Sequence, residues 1–477
     1  MSPASQSSPQ TSRPAPSRSA TASPSAWAFR SSQWSAIAAY RRALELVPSV
    51  HVAYQGAALF RLEELLYTEP GSLREGRAVT ADSIRFACFP SLAADTLAFV
   101  PWPAEAVFGG DPRAVSPTRD QAIQKSREIL RDIGTTWIQA FPNSAAALQT
   151  YALAMERTGD LESRPPGTTA VPTALEAAHR LRSIAATSGE RVAAGALEVR
   201  LLLKSGRFVQ ASALADSVLS SGDADSIASA TFVAGLAALR GRVHRSARAL
   251  ERAAVSRIAT GPGGERPDLP DQVKAASMRL LAYAAFGGPG DSLQAVASRA
   301  RSVINAYVAA PDRARATAAV FARPVALAWP ALDTMAIEGD YLLDLQRALS
   351  RGDRAQAGRQ LGAINAIRAT QRPGDVAIDA TLAEIRALLF HGDTTMARDR
   401  LGRILDVLPT LSSDLLLEVP QAAALVRAMA LRAELAASAG DSVQARRWAA
   451  VGVTLWSGGE GDSPAVVSRL RSLARPN

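Results

Sequence analysis

Apolar residues in this chain recur with a helical period. The clearest case is Ile378, Leu382, Ile385 and Leu389, followed by Ala397, Leu401, Ile404 and Leu408, both sets spaced i, i+4, i+7, i+11. Each set puts its apolar side chains on one face of a helix. The turn His391-Gly392-Asp393 separates them. Glycine readily takes the left-handed conformation that closes a helix, and the polar residues behind it can cap the next one. The pattern therefore predicts two antiparallel helices packed face to face. No stretch alternates apolar and polar residues over strand length, so an all-α fold is expected. The best candidate for a membrane span, Ala422 to Ala439, is interrupted by Arg427, Arg432 and Glu434, and none is predicted.

The hairpin recurs. A glycine is followed five residues later by alanine at Gly206/Ala211, Gly290/Ala295, Gly352/Ala357, Gly392/Ala397 and Gly440/Ala445, and Pro409 lies twelve residues past Ala397. Ala36, Ile37, Tyr40, Ala43, Leu44 and Pro48 match a second repeat helix with its closing proline, and Tyr54, Ala57 and Ala58 match the first helix of the next repeat. Pro142, Leu148, Tyr151, Ala152 and Gly159-Asp160 repeat that junction. In these residues the chain resembles a tetratricopeptide repeat (TPR) array. The resemblance implies a right-handed α-solenoid of antiparallel helical hairpins, elongated and open, with small residues where paired helices approach closely.

The turn glycines at 159, 206, 241, 290, 352, 392 and 440 are separated by 47, 35, 49, 62, 40 and 48 residues, against a family period of about 34. The array is therefore irregular, and Gly241 has Ser246 where alanine is expected. Insertions rich in Pro and Gly are expected at 100–117, 161–172 and 260–271. The organisation expected is a Ser/Pro-rich disordered arm at 1–26, N-terminal hairpins at 27–160, a linker at 161–173 and a C-terminal array at 174–477. A capping helix over 463–474 presents Val466, Leu470 and Leu473 on one face. At the other end Trp34 to Pro48 lacks a preceding helix, so an upstream helix or another subunit is expected to cover Trp34 and Tyr40.

Charge changes this picture little. Lys and Arg total 53 against 44 acids, giving +9. All but Lys125, Lys204 and Lys274 are arginines, dispersed among carboxylates as in the i,i+4 pair Asp399 and Arg403, so nucleic acid is disfavoured as a partner. Cys88 stands alone, which excludes an intrachain disulfide and a thiolate metal site. None of His51, His179, His244 and His391 is followed by a His, Cys or carboxylate at i+3 or i+4, and Gly261-Pro262-Gly263-Gly264 lacks the Lys-Ser/Thr of a phosphate loop. No nucleophile elbow or kinase loop is present. Of the tryptophans, Trp34, Trp137, Trp329, Trp448 and Trp456 are expected in the core, whereas Trp102 anchors a loop or meets a partner.

These features point to a non-catalytic protein-interaction scaffold without cofactor or metal, binding a protein or peptide in a concave groove. The TPR resemblance implies that Gln149, Glu156, Arg157, Arg200, Lys204, Arg386, Arg427 and Glu434 face that groove. Their excess of cations suits acidic peptides or a terminal carboxylate. No export signal or membrane span is visible, so a cytoplasmic location is expected. Two alternatives stay open. One is the sensor or scaffold portion of a bacterial signalling protein, a serine/threonine kinase or transcription regulator whose catalytic or DNA-binding domain lies elsewhere; the other is an α-helical enzyme without a recognisable motif.

Overall fold

A computed structural model describes residues 131, 134–135, 137–164, 171–259, 341–368, 378–410, 418–460 and 463–475. The arm at 1–26, the Trp34–Pro48 and Tyr54 helices, Trp102, Trp329, Gly290/Ala295, His51 and the insertions at 100–117 and 260–271 lie outside these residues. Among the described residues the regular elements are all helical.

The helices alternate as first and second members of hairpins. First members are α1 (Ala145–Thr158), α3 (Ser188–Lys204), α5 (Ala230–Leu239), α7 (Tyr341–Arg351), α9 (Ile378–His391) and α11 (Val419–Ser438). Second members are α2 (Ala174–Ile184), α4 (Phe208–Ser220), α6 (Val243–Ala259), α8 (Arg354–Arg368), α10 (Thr394–Asp406) and α12 (Ser442–Trp456), and α13 (Ser463–Ala474) follows. Each first helix ends on a glycine at positive φ: Gly159, Gly206, Gly241, Gly352, Gly392 and Gly440. All six caps use the same two bonds. At α9 the Gly392 N–H donates to the Leu389 carbonyl at 3.0 Å and the Asp393 N–H to the Leu388 carbonyl at 2.9 Å, the double closure of a Schellman motif. Asp393 and Asp441 then cap the second helix, each accepting from the backbone N–H three residues on.

The small residue five positions past the glycine is buried in every described hairpin that carries it: Ala211, Ala357, Ala397 and Ala445. Ser246, the departure from the pattern, is buried as well, and its hydroxyl donates to the Ala234 carbonyl at 2.9 Å. The hydroxyl is tolerated there because it reaches a carbonyl on the facing helix.

First helices also pack on first helices, α9 lying between α7 and α11. The segment 161–173 connects two helices of one hairpin. Leu161 and Val171 join the core formed by α1, α2 and α3, and the Tyr151 hydroxyl donates to the Pro172 carbonyl at 2.7 Å. At the other end α13 covers α12, with Val467 and Leu470 buried and Val466 and Leu473 packed beside them. A Cβ at Gly452 would stand 2.5 Å from Leu470 Cδ1, so glycine is what lets α13 approach. Trp137, Trp448 and Trp456 are buried, as expected.

One expectation is corrected among the described residues: the array they form is not open and extended. It bends back so that α11 packs on α5 and α12 on α4. Ser212 donates to the Thr454 carbonyl at 3.1 Å, Arg240 reaches the Thr454 carbonyl at 2.6 Å and also the Leu455 carbonyl, and the Glu460 N–H donates to the Gly241 carbonyl at 2.7 Å. One apolar core therefore runs from Val192 to Leu470. The reason is visible in α5, whose segment ATFVAGLAAL has no charged residue. A helix apolar all round needs partners on several sides, more than its neighbours in a one-dimensional stack supply.

Candidate functional site

Glu156, Arg200 and Lys204 meet between α1 and α3. The Arg200 guanidinium donates to both Glu156 carboxylate oxygens, each at 2.7 Å, and Lys204 Nζ lies 3.0 Å from Glu156 Oε1. The side chains of Glu156, Arg200 and Lys204 are 0%, 7% and 1% exposed. Burial by itself would raise the Glu156 pKa; the two cations outweigh it and hold the carboxyl down at about 2. The expectation that these three line an accessible groove is thereby corrected. They tie α1 to α3, because cations placed six and two residues before Gly206 reach a carboxylate three residues before Gly159.

The other candidates separate. Glu434 is half-buried and accepts from Arg469 of the capping helix at 3.2 Å. Gln149 and Arg427 are half-buried and both are engaged in contacts. The Arg157 side chain lies outside the described atoms. Arg386 stands apart: it is exposed, and no described carboxylate pairs with it. Desolvation by the surrounding protein lowers its pKa below the ordinary arginine value, and no acidic neighbour offsets that. Gln346 on α7 and Glu434 on α11 hold the equivalent place six residues before their turn glycines. Gln346 is buried and Glu434 is paired, so within this row of described residues Arg386 is the open cation.

A second set of polar contacts was not anticipated. Glu384 is buried and accepts from Arg400 of α10 at 2.8 Å, and Arg400 also donates to Asn365 of α8 at 2.8 Å. Glu198 accepts from Arg182 at 2.7 Å and lies 3.1 Å from His179 Nδ1. The Gln421 amide donates to Asp379 at 2.6 Å, joining α11 to α9. A signal for part of this set exists in the sequence: Glu198 and Glu384 each stand eight residues before a turn glycine. Glu198, Glu384 and Asp379 orient helices on one another. Among the described residues no three potential metal ligands cluster, and no helix is long and apolar enough to cross a membrane. His391 packs edge-on to Phe390, and a Cβ at Gly358 would lie 3.3 Å from its ring.

Six identical glycine caps and a buried small residue at one register decide the fold. The architecture is a TPR-like array of helical hairpins. No protein-family model matches the chain, and no curated protein matches it. Among solved structures it is similar to the crystal structure of the P58(IPK) TPR domain, at 11% identity over 94% of this chain and 97% of that one, with a TM-score of 0.22. At that TM-score the overall paths of the two chains do not superpose, so the TPR-like description rests on the local hairpins of this chain.

Proposed function

We propose that the chain is a non-catalytic interaction scaffold that receives a segment of another protein on the inner face of its first-helix layer. Arg386 is the group that accepts a carboxylate there. The supporting observation is its state: a cation open to solvent, desolvated by its surroundings and without a described carboxylate partner. An incoming carboxylate gains a charge-assisted hydrogen bond in a partly dehydrated setting, where such bonds are strong. Leu389 and Phe390, partly buried on the next turn of α9, offer apolar surface beside it. A protein partner, in preference to nucleic acid, is part of this reading.

The test is site-specific photo-crosslinking in the source cells, with the photoreactive residue at 386 or, as a control, at the exposed position 359. Crosslinks at 386 to an acidic segment of one protein, absent at 359, are expected. Equal yields at the two positions overturn the assignment.

A further inference from the structure

A different surface carries more positive charge than it neutralises. Arg242, Arg245, Arg248 and Arg252 collect where α6 meets the end of α4 and the short turn Gly222–Asp225, with the buried Arg240 behind them. Asp216 on α4 serves two of them, accepting from Arg240 at 2.9 and 3.1 Å and from Arg242 at 2.6 Å. Arg252 is 3.8 Å from the Asp225 carboxylate and donates to the Asp225 carbonyl at 3.2 Å. Asp223, the remaining carboxylate of that turn, is held by Arg191 through two bonds of 2.7 and 2.8 Å. Arg245 finds a carbonyl, that of Leu219, and Arg248 is exposed with no described carboxylate partner. Asp216 and Asp225 thus set two carboxylates against five guanidiniums, and Glu251, three residues past Arg248 on α6, is engaged in a further contact. Arg245 registers the excess: its pKa is lowered by desolvation first, then by repulsion from Arg242, Arg252 and Arg248, against the partial offset of Asp225.

The placement is ordered. Arg245, Arg248 and Arg252 fall within about 60° of one another around α6 and rise about 4.5 and 6 Å along its axis. Alternate side chains of an extended peptide are about 6.6 Å apart, close to the step of about 6 Å from Arg248 to Arg252. The row, including Arg242, is about 15 Å long.

We infer that this seam between α4 and α6, in the layer of second helices and separate from the Arg386 face, docks an acidic, Asp/Glu-rich segment of a partner protein in extended form. Acidic protein fits better than nucleic acid for two reasons. Among the described residues no aromatic ring stacks on these arginines to receive a base, and Asp223 and Asp225 border the row and repel a continuous phosphate backbone.

The test uses the full chain and a fluorescein-labelled deca-glutamate peptide, read by anisotropy at low and physiological salt. Arg248→Glu with Arg252→Glu is compared with Arg359→Glu and Arg403→Glu, an exposed pair that changes net charge equally. The first pair is expected to weaken binding by at least about tenfold and the second by less than about twofold, since exposed charges beyond a Debye length are largely screened. Arg248→Gln with Arg252→Gln, checked for unchanged helicity, is expected to show an intermediate loss. Equal weakening by both Glu pairs, or no saturable binding by the wild-type chain, overturns the site. A loss seen in Arg386→Glu and not in the α6 pair moves the peptide to the inner face and also overturns it. Tighter binding of a duplex DNA of equal length, lost in the α6 pair, assigns the seam to nucleic acid instead.

Discussion

Glu156→Gln leaves two cations buried without their carboxylate. In the native chain Glu156 receives a two-pronged Arg200 contact and a Lys204 contact in a site closed to water. Breaking a buried ion pair by removing one partner costs about 3–5 kcal/mol, because the orphaned charge keeps its desolvation penalty. The pKa supports the same scale. A folded-state pKa of about 2 against the ordinary 4.5 corresponds to about 3 kcal/mol at neutral pH.

The sign follows from the depression. Ionised Glu156 stabilises the fold fully above the unfolded-state pKa, and the contribution fades as pH falls from about 4.5 towards about 2. The glutamine variant does not titrate there. Urea unfolding followed by helical circular dichroism, with hydrogen exchange resolving α1 and α3, therefore shows a wild-type advantage at pH 7 that shrinks towards pH 3. A difference below about 1 kcal/mol at pH 7, or one that stays constant down to pH 3, refutes the triad as described.

Arg240→Met removes the side chain that reaches the Thr454 and Leu455 carbonyls and Asp216; a loss on the order of 2–3 kcal/mol is expected. Hydrogen exchange should quicken at 454–460, and unchanged exchange there means that the ends close without this side chain. Two glycine variants should move in opposite directions. Gly392→Ala places a Cβ at φ 87° and costs about 1–2 kcal/mol. Gly362→Ala on the exposed side of α8, where a Cβ meets nothing within 4 Å, gains roughly 1 kcal/mol of helix propensity. Thermal melts of the pair check both signs, and destabilisation by both discards the distinction.

The hairpins were legible because their causes are local. A left-handed glycine closing one helix, a polar cap opening the next and a small residue five positions on all act within a few residues, so Gly392, Asp393 and Ala397 announce the turn they make. The apolar face of α13 was readable for the same reason. Spatial partners were not, since periodicity assigns a polar residue to a helix face without saying whether water or another helix lies opposite. Arg200, Lys204 and Arg386 look alike in sequence, and Arg200 and Arg386 hold the same register six residues before a turn glycine. Two are locked onto Glu156, which stands 44 residues before Arg200, and the third is open. The closure of α11 and α12 onto α5 and α4 joins segments more than 200 residues apart. An uncharged helix such as α5 shows that it must be surrounded, and only the packed chain decides by what, because burial of apolar surface is non-directional and any complementary face can satisfy it.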